Sequence, residues 1–279
     1  MKVITIEKVG FDLCDDPVKT EEIINSNLLK NLNNISDDYV YFSFPLAWGI
    51  NNFGLEQIQT LLNQVNHSLK EKIVYVCQHI QAKNLDFGDN LVFTPHATVF
   101  DKFTPIPHHA PNKSSEIINF KDREIEMSFI GSYSTHHTRK VVGELLNSME
   151  AAVAKDTGNW HFYKKGKDLK DSANYYVKTL GNSKVSICPR GTGPSTIRMW
   201  ESMAMGSVPV LISDSLQLPL ADRVDWSKHI VFVPEKESSD LVKYIPSEEV
   251  LKEMSDNCIE TYNKFFSEEQ MHNIIIGEL

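Results

Sequence analysis

Apolar residues follow two periods along the first hundred residues, and each period predicts a different element. Short apolar runs predict buried strands at Val3 to Ile6, Tyr39 to Phe44, Ile73 to Cys77 and Leu91 to Phe93. Between these runs, apolar residues recur every three or four positions from Val18 to Leu32 and from Gly54 to Lys70, as in amphipathic helices. Strands that alternate with helices indicate a parallel, doubly wound sheet, so we predict an α/β domain over residues 1–118.

A proline-rich segment, Phe103 to Ser115, interrupts the pattern and is predicted to be a linker. The alternation then resumes over residues 119–265, the predicted second domain. Its predicted strands are Ile125 to Ile130, Trp160 to Lys164, Val185 to Cys188, Val208 to Ile212 and Ile230 to Val233. Its predicted helices are His137 to Ala154, Ser172 to Leu180, Ile197 to Met205 and Glu248 to Phe266.

The segment around residues 185–212 forms one strand–loop–helix–strand unit with distinctive loop chemistry. The loop carries Gly191, Gly193 and Pro194. Ser195 or Thr196 is suited to be the helix N-cap, since short hydroxyl side chains accept hydrogen bonds from first-turn N–H groups. Gly206, directly after the apolar pattern, is predicted to end the helix.

This unit has the features of a phosphate site, because ligands of open α/β sheets bind beyond the carboxyl ends of the strands. Gly191 and Gly193 would let a ligand approach the backbone, and the helix N-terminus offers free N–H groups. Arg190 and Arg198 add guanidinium groups that suit a diphosphate. Glu201 would accept hydrogen bonds from ribose hydroxyls. An ordinary turn with surface arginines is the alternative interpretation.

Two commoner phosphate-binding motifs are excluded by this loop. A P-loop requires Gly-Lys followed by Ser or Thr, where this chain has Gly193-Pro194-Ser195. The dinucleotide fingerprint requires a third glycine, where this chain has Thr196. The loop therefore fits neither a P-loop ATPase nor a dehydrogenase.

The same window resembles the signature of exostosin-like glycosyltransferases, the family 47 group. The matching residues are Cys188-Pro189-Arg190-Gly191, Gly193-Pro194-Ser195, Arg198, Glu201, Gly206, Pro209, Ser213-Asp214 and Leu218-Pro219. The strong match covers a small part of the chain, and weaker similarity extends upstream to Phe129-Ile130-Gly131.

The resemblance implies a GT-B fold, in which two Rossmann-like domains face each other across a cleft and residues 266–279 pack back toward the first domain. It also implies a UDP-sugar as co-substrate, an oligosaccharide or glycan as acceptor, inversion at the anomeric carbon, and no bound metal or other cofactor. The implied donor-binding residues are Arg139, Arg190, Gly191, Gly193, Pro194, Ser195, Thr196, Arg198 and Glu201. Arg139 lies in a helix's first turn, where a cation is unfavourable unless an anion is nearby; a solvated arginine is the alternative.

The catalytic base and the acceptor platform are expected in the first domain. His79 and His96 follow two of its predicted strands and Asp86 lies between them, and imidazole or carboxylate suits the withdrawal of an alcohol proton. Residues of these types are more often structural than catalytic, so the choice depends on their position. Trp48, beside Gly49 in a predicted polar loop, is the candidate platform for a sugar ring, although most aromatic residues here are expected to be core.

Composition limits which binding partners and which cellular compartment are expected. The 279 residues suffice for two modest domains, and the net charge of −9 argues against nucleic acid or an anionic membrane as main partner. The four cysteines contain no CxxC pair, as expected for reduced thiols in the cytosol. No apolar run is long enough to span a bilayer. We therefore expect a soluble, cytoplasmic enzyme.

The residues and the resemblance together favour an inverting, metal-independent transferase that moves a sugar from a UDP-sugar to a glycan hydroxyl. The compact chain favours a small pentose such as xylose. Two alternatives stay open: a catalytically silent sugar-nucleotide or glycan-binding module, and a GT-B-shaped nucleotide-sugar epimerase, which would need no acceptor.

Overall fold

The chain forms two compact units in the computed structural model, which describes residues 1–6, 11, 19–158 and 167–279. The first unit comprises Met1–His109, Ser215–Leu220 and Glu268–Leu279, and the second comprises Ala110–Asp214 and Ala221–Ser267. The bounds expected from sequence were 1–118, 119–265 and 266–279. The first continuous segment of the first unit instead ends at His109, and this unit also contains residues 215–220.

The first unit contains a parallel sheet whose strands lie side by side in chain order. These strands are β1 (Lys2–Thr5), β2 (Tyr39–Ser43), β3 (Lys72–Val76), β4 (Leu91–Thr94) and β5 (Thr104–Pro105). Its helices are α1 (Lys19–Asn31), α2 (Leu46–Phe53), α3 (Leu55–Ser68) and, near the C-terminus, α8 (His272–Gly277). Phe42, Leu62 and Tyr75 are buried in its core, as expected for a sheet covered by helices.

The second unit contains another parallel sheet, with the order β10-β9-β8-β6-β7. Its strands are β6 (Ile125–Gly131), β7 (Ala152–Asp156), β8 (Ser183–Pro189), β9 (Val208–Ile212) and β10 (Val231–Phe232). Its helices are α4 (His137–Asn147), α5 (Lys167–Gly181), α6 (Ile197–Met205) and α7 (Glu248–Thr261). Five residues of β9 are fully buried, which explains why that strand reads as one continuous apolar run.

The predicted α/β class, with two parallel sheets, is confirmed. The prediction of a single helix from His137 to Ala154 is wrong, because α4 ends at Asn147 and β7 begins at Ala152. Helix α2 was not predicted, and the predicted strand Trp160 to Lys164 lies outside the described residues. Within the described ranges, no helix has both the length and the apolarity needed to cross a membrane.

Candidate functional site

The strand order of the second unit reverses between β6 and β8. From β6 the chain passes to β7 on one side, and from β7 it returns to β8 on the other side of β6. Such a reversal opens a crevice at the carboxyl ends of the two strands, where ligands of open α/β sheets bind. The segments that leave these ends are residues 132–136 and 190–196. The described strands of the first unit are sequential and contain no such reversal.

Arg198 lies at this reversal, in the first turn of α6. Its side chain is buried, and its guanidinium carbon lies 4.6 Å from the ring centroid of Phe129 on β6 and 5.6 Å from that of Tyr176 on α5. Its Nη2 donates a hydrogen bond to the carbonyl of Ile130. The strand and two helices therefore fix one cation beside the end of β6.

Arg139, in the first turn of α4, brings a second guanidinium to the same ring. Its guanidinium carbon lies 5.9 Å from the Phe129 centroid. Its Nε donates to the carbonyl of Arg190 at 2.8 Å, and Nη1 donates to that of Ser132 at 3.3 Å. Arg139 thus joins the two segments that leave β6 and β8.

Both of these guanidinium groups lack a carboxylate partner within ion-pair distance among the described residues, since their hydrogen bonds go to carbonyl oxygens. Burial and the neighbouring Arg198 cation lower the pKa of Arg139 to about 10. Arg198 is buried and Arg139 is partly buried; two such neighbouring cations disfavour each other, and an anion bound beside them would relieve that cost.

Two glycines make this arrangement of arginines sterically possible. A Cβ at Gly131 would lie 2.9 Å from Arg198 Nη2, and one at Gly191 would lie 3.1 Å from Arg139 Nη2. The space beside Gly191, which sequence analysis reserved for ligand approach, is therefore occupied by the Arg139 guanidinium. Any larger residue at either position would displace an arginine.

Two hydroxyl groups at this edge of the sheet lack a hydrogen-bond partner. Thr135 Oγ1 and Ser213 Oγ are buried and have no partner among the described atoms. Thr135 follows β6, and Ser213 directly follows β9. Tyr133 Oη is also without a described partner, but it packs against Gly143 of α4. Buried polar groups are normally satisfied, so the two hydroxyls beside the strand ends are candidate contacts to a polar molecule.

Glu201 is engaged with protein groups of the second unit. Its Oε2 accepts a hydrogen bond from Tyr176 Oη at 2.6 Å. Its Oε1 accepts from the Asn112 backbone N–H at 3.1 Å and from Asn112 Nδ2 at 2.7 Å. Burial raises the pKa of this carboxyl group. The carboxylate therefore orders Asn112 and Tyr176, and its contact with a ribose stays a prediction.

Arg190 is partly exposed and meets a carboxylate that sequence analysis missed. Its Nη1 lies 3.4 Å from Glu235 Oε1, and His136 Nε2 lies 3.7 Å from Glu235 Oε2. Asp214 N donates to Glu235 Oε1 at 3.1 Å, while Glu235 N donates to Asp214 Oδ1 at 2.9 Å. The sequence did contain a signal for Glu235. It lies two residues after the end of the last predicted strand, and ligand-binding residues of open α/β sheets often follow strand ends.

The loop between β8 and α6 places the remaining predicted donor residues at the helix start. Thr196 is the N-cap, and its side chain makes no capping hydrogen bond. Ser195 and Thr196 are buried, and Gly193 and Pro194 precede them in the same loop. The cap leaves first-turn N–H groups of α6 without a side-chain acceptor, as at helix ends that bind anions. Gly206 ends the helix in the left-handed region, at φ 68°, as predicted.

The two candidate histidines of the first unit lie beyond its strands. His96 follows β4, its ring centroid is 5.0 Å from that of His108, and burial lowers its pKa to about 4. Its Nδ1 is buried, with no partner among the described atoms. His79 follows β3; its Nε2 lies 3.0 Å from Asn51 Oδ1, its Nδ1 accepts from Gln81 N at 3.1 Å, and burial lowers its pKa.

The other two candidates of the first unit have different settings from those expected. Trp48 lies in helix α2 rather than in a polar loop, with its ring edge-on to Phe53 at 5.2 Å between centroids. Gly49 allows this helix to pack closely, since a Cβ there would lie 2.8 Å from Ile58 and Phe44. Asp86 is exposed and accepts a hydrogen bond from Gly88 N at 2.8 Å, which stabilises a local turn.

Glu21 is a buried carboxyl group of the first unit that sequence analysis missed. Its Oε1 accepts hydrogen bonds from Gln78 N at 2.7 Å and Ala47 N at 3.1 Å, and burial raises its pKa to about 8. It connects the start of α2 to the end of β3. Its burial could have been expected from the sequence, because Glu21 is a charged residue on the apolar face of the first predicted helix.

A metal cluster is not formed by the described residues, in which no group of three or more His, Cys, Asp or Glu side chains could hold an ion. The expectation that the reaction needs no metal stays a prediction.

Known proteins resemble this chain over most of its length. The model of the exostosin GT47 domain matches residues 49–248. The exostosin-1 homolog of Caenorhabditis elegans is 25% identical over 288 aligned positions, which cover 92% of this chain and 69% of the relative. The probable β-1,4-xylosyltransferase IRX10 of Arabidopsis thaliana is 33% identical over 85 positions, which cover 29% of this chain and 21% of the relative.

Solved structures show weaker similarity. TarM is 10% identical, with a TM-score of 0.39 over 77% of this chain and 56% of that one. A UDP-N-acetylglucosamine 2-epimerase is 11% identical, with a TM-score of 0.38 over 92% and 90% of the two chains. The family match spans well over half of the chain and includes β6, β8 and the segments that follow these two strands. The chain therefore belongs to the exostosin GT47 family, family 47 of the glycosyltransferases.

Proposed function

We propose that this protein transfers a sugar from a UDP-sugar to a hydroxyl group of a glycan, with inversion and without a metal. The donor diphosphate would bind at the carboxyl ends of β6 and β8. The observation that supports this most is the pair Arg139 and Arg198, two guanidinium groups beside one buried ring with no carboxylate partner among the described residues.

The diphosphate would be stabilised by fixed positive charge. When the bond between the anomeric carbon and UDP breaks, negative charge builds on the leaving phosphate, and preoriented cations stabilise that charge. Arg139 and Arg198 supply it, together with the first turn of α6. Arg190 would add a third guanidinium once its contact with Glu235 yields to phosphate. This charge takes the role of a metal ion.

Inversion requires a base that removes the acceptor proton as the acceptor oxygen attacks the anomeric carbon. His96 is the leading candidate, because it follows a strand end of the first unit and its Nδ1 has no hydrogen-bond partner among the described atoms. His79 is the second, although both of its nitrogens are already engaged. Asp86 is the weakest of the three, because it is exposed and holds a turn.

The transferred sugar is proposed to be a pentose. Two relatives in the family carry the names probable β-1,4-xylosyltransferase and probable arabinosyltransferase, and others are named probable glucuronosyltransferases. The chain spans about a fifth to a third of the length of these plant relatives, so their substrates enter here as candidates.

The test is UDP release in EDTA from a panel of UDP-xylose, UDP-arabinose, UDP-glucuronic acid, UDP-galactose and UDP-N-acetylglucosamine, with and without xylo-, gluco- and galacto-oligosaccharides. We expect release from one donor, raised by one acceptor. UDP binding without release would indicate a silent module. Conversion of the donor sugar without dependence on an acceptor would indicate an epimerase.

A further inference from the structure

Phe100 and Val99 are the most exposed large apolar side chains in the described part of the chain, at 85% and 61% exposure. Together they form a small apolar platform on the first unit. An exposed aromatic ring offers an apolar face that a ligand can cover.

The platform is carried by a turn that is held firmly in place. Asp101 Oδ2 accepts hydrogen bonds from the backbone N–H of Thr98 at 3.0 Å and from its hydroxyl at 2.7 Å, while Oδ1 accepts from Phe103 N at 3.0 Å. Val99 N donates to the carbonyl of Ser215 at 3.1 Å, which ties the turn to the inserted segment 215–220. The hydrogen bonds therefore hold the backbone of the turn that carries the exposed phenyl ring.

The turn lies at the carboxyl edge of its sheet. The loop leaves the carboxyl end of β4 after Thr94 and returns at Thr104, which pairs with Phe93. Both ends of the loop are therefore level with the end of β4, at the edge where the segment carrying His79 also leaves the sheet. The same loop contains His96, the leading candidate for the base.

We propose that Phe100, flanked by Val99, is the platform on which a sugar ring of the acceptor glycan stacks. The inference rests on the proposed transferase function, since only that function requires a glycan acceptor. A pyranose ring matches a phenyl ring in size and presents apolar C–H groups on one face, whereas its hydroxyls stay in water at the ring edge. The predicted platform, Trp48, is less suited because its ring packs against Phe53 within α2.

Other occupants fit the surface less well. A stable protein partner usually covers about 800 Å² on each side, far more than two side chains offer. An anionic membrane would be repelled by a chain with a net charge of −9. A single sugar ring is the partner whose size and chemistry agree with the platform.

The experiment is calorimetric titration of the full chain, saturated with UDP, with xylo-, gluco- and galacto-oligosaccharides. Phe100→Ala is compared with Phe100→Trp, which retains an aromatic face, and with Phe232→Ala, which removes another exposed phenyl ring (48% exposure). For the best-binding saccharide we expect Phe100→Ala to raise Kd about tenfold or more, which corresponds to about 1.4 kcal/mol. Phe100→Trp and Phe232→Ala should keep Kd within about twofold.

Equal Kd for wild type and Phe100→Ala would overturn the inference, and so would failure of the wild type to bind any saccharide of the panel. Dimerisation, or binding to phosphatidylserine vesicles, that Phe100→Ala abolishes would assign the platform to another partner and also overturn it. UDP release is measured separately. A wild type that binds saccharides through Phe100 but releases no UDP from any donor would contradict the transferase function alone.

Discussion

Replacement of Arg139 by methionine tests whether this partly buried cation is kept for a ligand or for the fold. Methionine retains an apolar stem against Phe129 and removes the charge. Burial and Arg198 lower the pKa of Arg139 from its ordinary value to about 10, and at about 1.4 kcal/mol for each pH unit the unpaired charge costs the folded state about 3 kcal/mol. Because the folded pKa is lower than the unfolded one, this cost is present at every pH below about 10 and disappears as the pH rises toward the ordinary pKa of arginine.

The hydrogen bonds of Arg139 offset most of this cost. They go to the carbonyls of Arg190, Ser132 and Pro189, and each contributes about 1 kcal/mol. Arg139→Met should therefore change the free energy of unfolding by no more than about 1 kcal/mol, which corresponds to a few degrees in Tm. UDP affinity should fall about 10- to 100-fold, because hydrogen bonds between charged partners contribute about 1.5 to 3 kcal/mol.

Arg123→Met is the matched control. Arg123 is also buried, and burial lowers its pKa to about 10. Its guanidinium donates to Met205 and Gly206 carbonyls at 2.7 and 2.8 Å, at the C-terminal end of α6, where a cation is favourable. Its removal leaves buried carbonyls unpaired and should cost about 3 kcal/mol or more, with unchanged UDP affinity.

The assay combines calorimetric UDP titration with urea unfolding of wild type and both variants. A ligand role for Arg139 is excluded if Arg139→Met lowers stability as much as Arg123→Met does and leaves UDP affinity unchanged. That result would make Arg139 a structural residue that joins two loops.

Three further predictions concern a tyrosine hydroxyl, a histidine and the role of metal. Tyr176→Phe should lower the free energy of unfolding in urea by about 1 to 3 kcal/mol, because Glu201 loses a 2.6 Å hydrogen bond. Tyr175→Phe is the control: Tyr175 is 44% exposed, and the change should have no measurable effect on that free energy. Equal effects of the two variants would contradict the packing described. His96 has a folded pKa of about 4, below its ordinary 6.5, so the unfolded chain binds a proton that the folded chain does not, and stability should fall as the pH drops from 6.5 toward 4. His96→Gln should flatten that slope in unfolding curves collected across this range, and an unchanged slope would show that another group causes it. Transfer activity should survive EDTA, since arginines supply the positive charge; full loss that Mn²⁺ restores would overturn metal independence.

The candidate site where the strand order reverses between β6 and β8 was largely predictable, because its residues lie close in sequence to the ends of predicted strands. Arg190 and Arg198 lie within one strand–loop–helix unit, and the carboxyl ends of parallel strands meet at one edge. The partners of Arg198 and Glu201 were not predictable. Phe129 and Tyr176 contact Arg198, and Tyr176 and Asn112 bond Glu201; all three come from other elements, and nothing in local spacing indicates which ring or amide a side chain will meet.

The errors in secondary structure have tertiary causes. Residues 151–154 are rich in alanine and continue a helical pattern, yet Ala152 pairs with Met127 because β6 offers an open edge there. Helix α2 begins after Pro45 and receives the carboxylate of Glu21, which accepts from Ala47 N. A cap supplied from another helix leaves no signal in the local sequence.

Hydrogen exchange measured by mass spectrometry with and without UDP reports where the nucleotide binds. We expect UDP to slow the exchange of backbone amides in residues 131–139 and 190–199, the segments that follow β6 and β8. Protection confined to other segments, or none at saturating UDP, would contradict the assignment of the donor site to the reversal of the second sheet.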